Sequence, residues 1–390
     1  MDLTEEKVPV TFILHAYQPV TQRIEILERI INNCYIPFFE NLNKKPNVKI
    51  TLNITGCLLE ILATKYPYVL GLLEKSISAG QIEIMGSAFY HPVLPLISLE
   101  NQKYQIGKQK EIIQNILGLK SSVFFPPELA VSEKILPQIL EKGYNTVIVP
   151  ENINSEPFGC NYILDNGKSI RLVKRNKELS NKIAFNHYNR NITHCVMDLE
   201  TEYRKTNRPI TLAMDIETFG EHMAEYYFYF FNLSDRIETM TLSNSLDRFP
   251  IDNVSDAFIP SSWSTTKADL DAFIPYPLWN HPYNSVHQLQ QTHLRLLHQI
   301  KLYLQEGDWL DEYHAAYYSC QFWWASKDWW SPELIHTGLK YQRNVLAKMI
   351  DNLSKDSQQI ILNLSNDIIQ KIVDIASQLE DKNEHSIYFS

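Results

Sequence analysis

Short apolar or β-branched runs recur along the chain: Val8 to Leu14, Val48 to Ile54, Gln81 to Met85, Ser122 to Phe125, Thr146 to Val149, Ile210 to Met214 and Ala257 to Ile259. Runs of this length and composition read as buried strands. The stretches between them carry a different period. Ile24 to Leu42 repeats its apolar residues at helical spacing, and Ser132 to Glu141 does the same before Lys142-Gly143, a helix stop. Strands alternating with helices predict an α/β fold with a parallel sheet. About seven of them without a dinucleotide fingerprint predict a barrel.

The rhythm breaks between Glu151 and Asn207, which holds Gly159, many Asn residues and Asp165-Asn166-Gly167, a hairpin turn signal. This stretch, about 151–207, reads as an excursion over the barrel mouth. After about Ser285 the strand signals stop, and Val286 to Glu306 and Leu334 to Leu379 read as helices. The expected division is a barrel domain over 1–284 and a helical C-terminal region over 285–390 that contributes aromatic residues to the cleft. A chain of 390 residues exceeds the usual single core, which suits a barrel plus an appended piece. The polar tail from Asp381 reads as frayed.

Charge and cysteine usage narrow the function class. A net charge of -9, with no dense Lys/Arg cluster, argues against a nucleic-acid partner and for a neutral or cationic ligand. The start, Met1 to Lys7, is charged, and no apolar stretch is long enough to span a bilayer, so the expectation is a cytoplasmic protein without a membrane partner. Cys34, Cys57, Cys160, Cys195 and Cys320 are scattered and form no CxxC pair. They read as reduced, buried small hydrophobes.

In such a barrel the chemistry sits where strands end and loops begin. The first strand runs into His15-Ala16-Tyr17-Gln18-Pro19, the third through Gly86-Ser87 to His91-Pro92, the fourth to Glu128, the sixth to Asp215 and Glu217, and the seventh to Ser261-Ser262-Trp263. Each has a bland reading: His15 a hydrogen-bonded structural residue, Asp215 a helix N-cap, Glu128 a solvated turn residue after two prolines. An independent scatter would not place His, Glu and Asp after several strands on one face. All seven tryptophans, Trp263, Trp279, Trp309, Trp323, Trp324, Trp329 and Trp330, lie late in the chain. Core packing accounts for some. The doublets suit it poorly, because adjacent helical side chains point apart, and Trp263 with Trp324 or Trp330 reads as a platform for sugar rings.

These residues resemble the motifs of glycoside hydrolase family 57, whose members act mainly on α-glucans. His15-Ala16-Tyr17-Gln18-Pro19 resembles the first motif, Gly80-Gln81-Ile82-Glu83-Ile84 the second, and Phe125-Pro126-Pro127-Glu128 the third. Asp215-Ile216-Glu217-Thr218-Phe219-Gly220 resembles the fourth and the Trp323-Trp324-Ala325-Ser326 region the fifth. The resemblance implies an incomplete (β/α)7 barrel with a helical C-terminal region, and a retaining mechanism on α-linked glucan that requires no metal and no organic cofactor. Glu128 would be the nucleophile and Asp215 the general acid/base. His15, Glu83 and Glu217 would contact the sugar, with Gln18, His91, His222, Trp263, Trp324 and Trp330 as further substrate contacts. Three positions depart from the pattern: Tyr17 replaces a second His, Pro126-Pro127 precede the Glu without a tryptophan, and Gln321 stands where an acid is often found.

Two rival readings remain at this stage. A metal-dependent carbohydrate deacetylase uses a similar barrel but wants a clustered His pair with Asp. Here His293 and His298 are five apart on a helix, and His15, His91 and His222 are dispersed. A non-catalytic carbohydrate-binding protein on the same fold is the other rival, and retention of both Glu128 and Asp215 counts against it.

Overall fold

The computed structural model describes residues 7–382. The described residues form two compact units, one from those up to 18, 22–89 and 105–263, the other from 19–21, 90–104 and those from 264 onward.

Among the described residues the first unit holds ten strands: β1 (Pro9–Ala16), β2 (Ile50–Ile54), β3 (Ile82–Met85), β4 (Val123–Phe124), β5 (Thr146–Val149), β6 (Gly159–Ile163), β7 (Ser169–Lys174), β8 (Ile210–Asp215), β9 (Glu238–Met240) and β10 (Val254–Ser255). One sheet runs β3-β2-β1-β8, all parallel, with β9 also beside β1. The other runs β10-β6-β7-β5-β4, parallel except for the β6–β7 hairpin. A parallel bridge between Gly86 and Phe124 links the β3 side to β4. This is an α/β fold built on parallel sheet.

Burial on both faces explains why these strands read as continuous apolar runs. All eight residues of β1 are buried, and side chains alternate between two cores. Phe12, Leu14, Leu52, Ile84, Leu212 and Met214 face the surrounding helices, packing with Phe38, Leu58 and Phe230. Ile13, Met85, Val123, Ile148, Val173 and Ala213 face inward and form a separate cluster. Truncating a fully buried phenylalanine such as Phe12 costs about 3–5 kcal/mol.

Two sequence expectations are corrected. Ala257 to Ile259 forms no strand, because its pairing is limited to bonds such as Ile259 N–H to the Ile153 carbonyl. Its apolar pattern marks loop residues on the surface of the unit rather than a ladder. The helix expected over Ile24 to Leu42 is interrupted, since Ile31–Tyr35 is a π-helical turn between Ile24–Ile30 and Ile36–Leu42. Pro37, which lacks an N–H, stands at the second position of the helix that follows that turn. The hairpin turn at Asp165-Asn166-Gly167 is present, with Gly167 at φ 76° and its N–H bonded to the Leu164 carbonyl at 2.8 Å. The 151–207 stretch does more than loop outward, because its β7 pairs parallel with β5.

The second unit is largely helical: Ser285–Lys301, Leu310–Ala315, Cys320–Trp323, Pro332–Met349 and Lys355–Lys382. Val286, Tyr318, Trp324, Ile335, Leu339, Ile368 and Ile372 form its core. The long helical stretch read as Leu334 to Leu379 divides at the turn after Met349. Of the polar tail, residues 383–390 lie outside the described residues, as do residues 1–6 of the charged start. Among the described residues no single helix is long and apolar enough to cross a membrane. Cys34, Cys57, Cys160 and Cys195 are buried, in keeping with the role of small hydrophobes, whereas Cys320 is only partly buried.

Candidate active site

The sheet register sets out the site. His15 near the end of β1 is in register with Asn53 of β2 on one side and Asp215 of β8 on the other. Neighbouring strands lie about 4.8 Å apart, so the row Asn53, His15, Asp215 spans about 10 Å at the carboxyl ends of the strands. His15 Nδ1–H donates to Asn53 Oδ1 at 2.6 Å, which leaves Nε2 as the acceptor of a neutral ring. Burial holds the His15 pKa below its ordinary value, against the pull of Asp215 and the Asn53 bond. The ring stacks on Phe125, centroids 4.8 Å apart, and on Tyr17 at 6.2 Å. The tyrosine that replaces the usual second His thus lies along the face of the first.

Phe125 brings the end of β4 to this row, and Glu128 follows three residues later. Pro126 is extended, and Glu128 itself is left-handed at φ 61°, ψ 16°, with Leu129 at φ 44°. Non-glycine residues pay about 1–3 kcal/mol each for such backbone. The turn is fixed by the Leu129 N–H to the Pro126 carbonyl and the Ala130 N–H to the Pro127 carbonyl. Glu128 is 8% exposed, so it is no solvated turn residue. Its carbonyl accepts the Trp263 N–H at 3.2 Å, and the Trp263 ring stands edge-on to His15 and Phe125.

Asp215 precedes the 3-10 turn Ile216–Phe219, yet its side chain makes no capping bond to it, which removes the N-cap reading. Glu217 in that turn is buried. Its Oε1 accepts from the Tyr35 hydroxyl at 2.5 Å and from Gln18 Nε2 at 3.0 Å, and Gln22 Nε2 in turn donates to Gln18 Oε1 at 2.8 Å. Burial, and then the charge of Asp215, push the Glu217 pKa up to about 8, so this carboxyl holds its proton more tightly than an exposed one. Gly220 makes the arrangement possible: a Cβ there would stand 2.2 Å from the Asn33 carbonyl oxygen. The close approach lets the 3-10 turn lie on the π-helical turn that presents Tyr35.

Glu83 and His222 stand apart from this group. Glu83 accepts from the Ser243 N–H and hydroxyl and from the Thr51 hydroxyl, at the start of the helix Leu242–Arg248. It is in register with Thr51, two residues before Asn53, which puts it about 7 Å along the strands below the His15 row. His222 is exposed in the turn beyond Glu217. His91, Trp324 and Trp330 belong to the second unit. There His91 shares a hydrogen bond of 2.9 Å with the Ser319 hydroxyl, and Trp324 packs edge-on against Tyr318. Gln321 is buried in a polar chain: it donates to the Ala316 and Tyr318 carbonyls and accepts from Gln342, which bonds His293. That departure from the motif is thus built into the core of the second unit.

Sequence reading overlooked Asn53, Tyr35 and Arg175. Asn53 lay at the polar end of an expected strand, a signal open to reading. Tyr35 sat inside an expected helix. Arg175 follows β7, the strand hidden in the supposed excursion; its guanidinium lies over the Trp263 ring at 5.7 Å.

The sequence model of glycosyl hydrolase family 57 matches residues 5–256 of the chain. The protein belongs to that family. Among its curated relatives, the α-amylase of Pyrococcus furiosus is 31% identical over 187 residues, covering 46% of this chain and 29% of that one. The 4-alpha-glucanotransferase of Thermococcus litoralis is 25% identical over 297 residues, covering 70% and 44%. The chain therefore spans less than half the length of these relatives. In fold, this family 57 protein matches the crystal structure of the Thermococcus litoralis 4-alpha-glucanotransferase with a TM-score of 0.68 at 19% identity, covering 87% of this chain and 60% of the other. It matches the GH57-type branching enzyme of Pyrococcus horikoshii with a TM-score of 0.66 at 16% identity, covering 93% and 94%.

Proposed function

We propose that this family 57 protein is a retaining glycosidase or glucanotransferase that acts on α-linked glucan through a covalent glycosyl-enzyme intermediate. Glu128 is the nucleophile and Asp215 the general acid/base, with His15, Gln18, Glu217 and Trp263 around the sugar at the cleavage point. The reading draws on relatives named as α-amylase and 4-alpha-glucanotransferase. The observation that carries it is the linkage of both carboxylate-bearing turns to one histidine: Asp215 is in register with His15, and the Glu128 carbonyl bonds Trp263, whose ring meets His15.

The chemistry fits two carboxyls of unlike state. A retaining site needs them about 5–5.5 Å apart, one ionised to attack the anomeric carbon and one protonated to release the leaving oxygen. Crowding of like charges raises the pKa of a carboxyl in such a group, as burial and then Asp215 do for Glu217. We further assign the parallel strands β8-β1-β2-β3-β4-β5-β7 to an incomplete (β/α)7 barrel, open between β7 and β8, with residues 1–284 as the catalytic domain. In this assignment β7 takes the seventh place that the sequence pattern gave to Ala257 to Ile259. The buried thiols suit a reducing compartment, the cytoplasm.

The test is incubation of the wild-type protein and its Asp215→Asn variant with a panel of malto-oligosaccharides, with products resolved by chromatography. Shorter products alone establish hydrolysis, and longer ones as well establish transfer, provided the variant is silent. No product from any α-glucan contradicts the substrate assignment.

A further inference from the structure

Where the end of β7 meets the start of β8, the first unit holds a cavity of about 620 Å³. The helices Lys177–Ala184 and Ile192–Thr206 supply the rest of its wall together with Glu151 and Phe158. His15, Glu128, Asp215 and Trp263 do not line it, so it is separate from the candidate active site. Five lysine and arginine side chains line it against three carboxylates, an excess of positive charge in a chain of net charge -9. The carboxylates are already engaged: Glu151 pairs with Lys177 at 3.2 Å, Glu178 with Lys182 at 2.8 Å and Glu202 with Lys205 at 3.9 Å.

Three cations of the wall are left with neutral acceptors alone. Lys174 Nζ donates to the Asn154 carbonyl at 2.5 Å, Arg175 Nη2 to Asn181 Oδ1 at 2.5 Å and Arg208 Nη1 to the Pro250 carbonyl at 2.9 Å, and none of the three forms an ion pair among the described residues. Lys174 is 7% exposed and Arg175 6%, and a buried charge without a counter-ion is unfavourable. Burial lowers the pKa of both, that of Arg175 to about 10, so the guanidinium stays charged at neutral pH. Two polar groups of the same wall are orphaned outright: Arg175 Nε and the hydroxyl of the buried Thr211 find no hydrogen-bond partner among the described residues. Buried polar groups are paired in the great majority of cases, so two orphans and three unpaired cations on one cavity wall point to a ligand. The wall is fixed by backbone bonds, from Lys174 N–H to the Phe158 carbonyl at 2.9 Å, Arg175 N–H to the Val149 carbonyl at 3.0 Å and Asn176 N–H to the Thr211 carbonyl at 2.7 Å.

We propose that this cavity is a binding site for a phosphate monoester carried on a small sugar. A phosphate dianion supplies the counter-charge that Lys174, Arg175 and Arg208 lack, and its oxygens accept several N–H bonds at once, which suits the guanidinium fork. The helix Lys177–Ala184 begins at the cavity, and the positive end of its dipole favours a ligand of the same sign. A bare phosphate ion leaves most of the space empty, whereas a cavity of this size holds a small organic ligand. Apolar Phe158 and Ile210 beside the hydroxyls of Thr206 and Thr211 offer the mixed surface that a sugar ring presents in turn. The inference does not rest on the retaining reading.

The experiment is isothermal titration calorimetry of the full-length wild type, Lys174→Gln, Arg208→Gln and His15→Ala with glucose 6-phosphate, glucose and inorganic phosphate. Glucose 6-phosphate binds the wild type at least about tenfold more tightly than either glucose or inorganic phosphate does, and its affinity falls as salt is raised. Lys174→Gln and Arg208→Gln each weaken it by about tenfold. His15→Ala, altered in the candidate active site, binds it as the wild type does. If Lys174→Gln does not fold, Arg208→Gln decides, since that side chain is only half-buried. No binding to the wild type overturns the proposal, as does unchanged affinity in folded Arg208→Gln. Glucose binding as tightly as its phosphate, or a loss of affinity in His15→Ala, would place the ligand in the active-site cleft and overturn it too. Inorganic phosphate binding as tightly as glucose 6-phosphate would overturn the sugar assignment. Failure of the wild type to turn over glucan refutes the substrate reading alone and leaves this proposal standing.

Discussion

The main-chain carbonyl of Glu128 accepts the N–H of Trp263 at 3.2 Å, so the carboxylate turn and the aromatic wall of the site are held by one bond. Both residues lie far apart in sequence and at the ends of different segments. The bond uses the backbone of Trp263 and survives any change of its side chain. Trp263→Ala therefore keeps the Glu128 turn but loses the ring that meets His15, Phe125 and Arg175. Its KM for malto-oligosaccharides rises by about tenfold with a smaller change in kcat, and Trp263→Phe recovers most of the loss. Equal loss in both variants, seen in steady-state kinetics, would contradict an aromatic-face role.

Glu217 has a measurable effect on stability. Its folded-state pKa of about 8 lies above the ordinary 4.5. The folded protein therefore holds a proton that the unfolded chain has released, and stability present below about pH 4.5 is lost as pH rises toward 8. Glu217→Gln mimics the protonated carboxyl and does not titrate. Thermal melts from pH 5 to 8 should show the variant gaining on the wild type as pH rises, by at most about 1.4 kcal/mol per pH unit. A constant gap across that range would show that Glu217 titrates normally.

Gly220 is the smallest element of the site and among the least replaceable. A methyl group there meets the Asn33 carbonyl oxygen at 2.2 Å, and backbone cannot move aside as a flexible side chain can. Gly220→Ala should cost about 1–3 kcal/mol and lower activity by separating Tyr35 from Glu217. Calorimetry alongside turnover checks both, and an unchanged melting temperature would show that the two turns are not in obligatory contact.

Much of this was legible in the sequence because both faces of the central strands are buried. Continuous apolar runs such as Val8 to Leu14 stood out, and the polar residues that ended them, His15, Glu128 and Asp215, were candidates by position alone. What escaped notice had a physical reason. β7 is flanked by Asn, Asp and Gly of a hairpin, so its strand signal was absorbed by the turn chemistry around it, and Arg175 went with it. Tyr35 lay in a helix whose π-helical turn has no sequence period of its own. Glu83 matched a motif, but its carboxylate caps the helix Leu242–Arg248, and only the register with Thr51 reveals the layer in which it sits. Ala257 to Ile259 had the composition of a strand and no neighbour to pair with as one.

Glu128→Gln keeps the shape of the turn, since the left-handed backbone and its bond to Trp263 do not involve the carboxylate. The amide cannot form an ester with the anomeric carbon, and turnover should fall by at least about a thousandfold while the melting temperature holds. Near wild-type activity in a folded variant would remove Glu128 from the nucleophile's role.

The most direct measurement is intact-protein and peptide mass spectrometry after incubation with a fluorinated, activated α-glucosyl donor, which slows release of a glycosyl ester more than its formation. The account predicts one glucosyl adduct, carried by the peptide containing Pro126-Pro127-Glu128 and absent from Glu128→Gln. An adduct on Asp215 or Glu217, or turnover of the donor with inversion and no adduct, would contradict it.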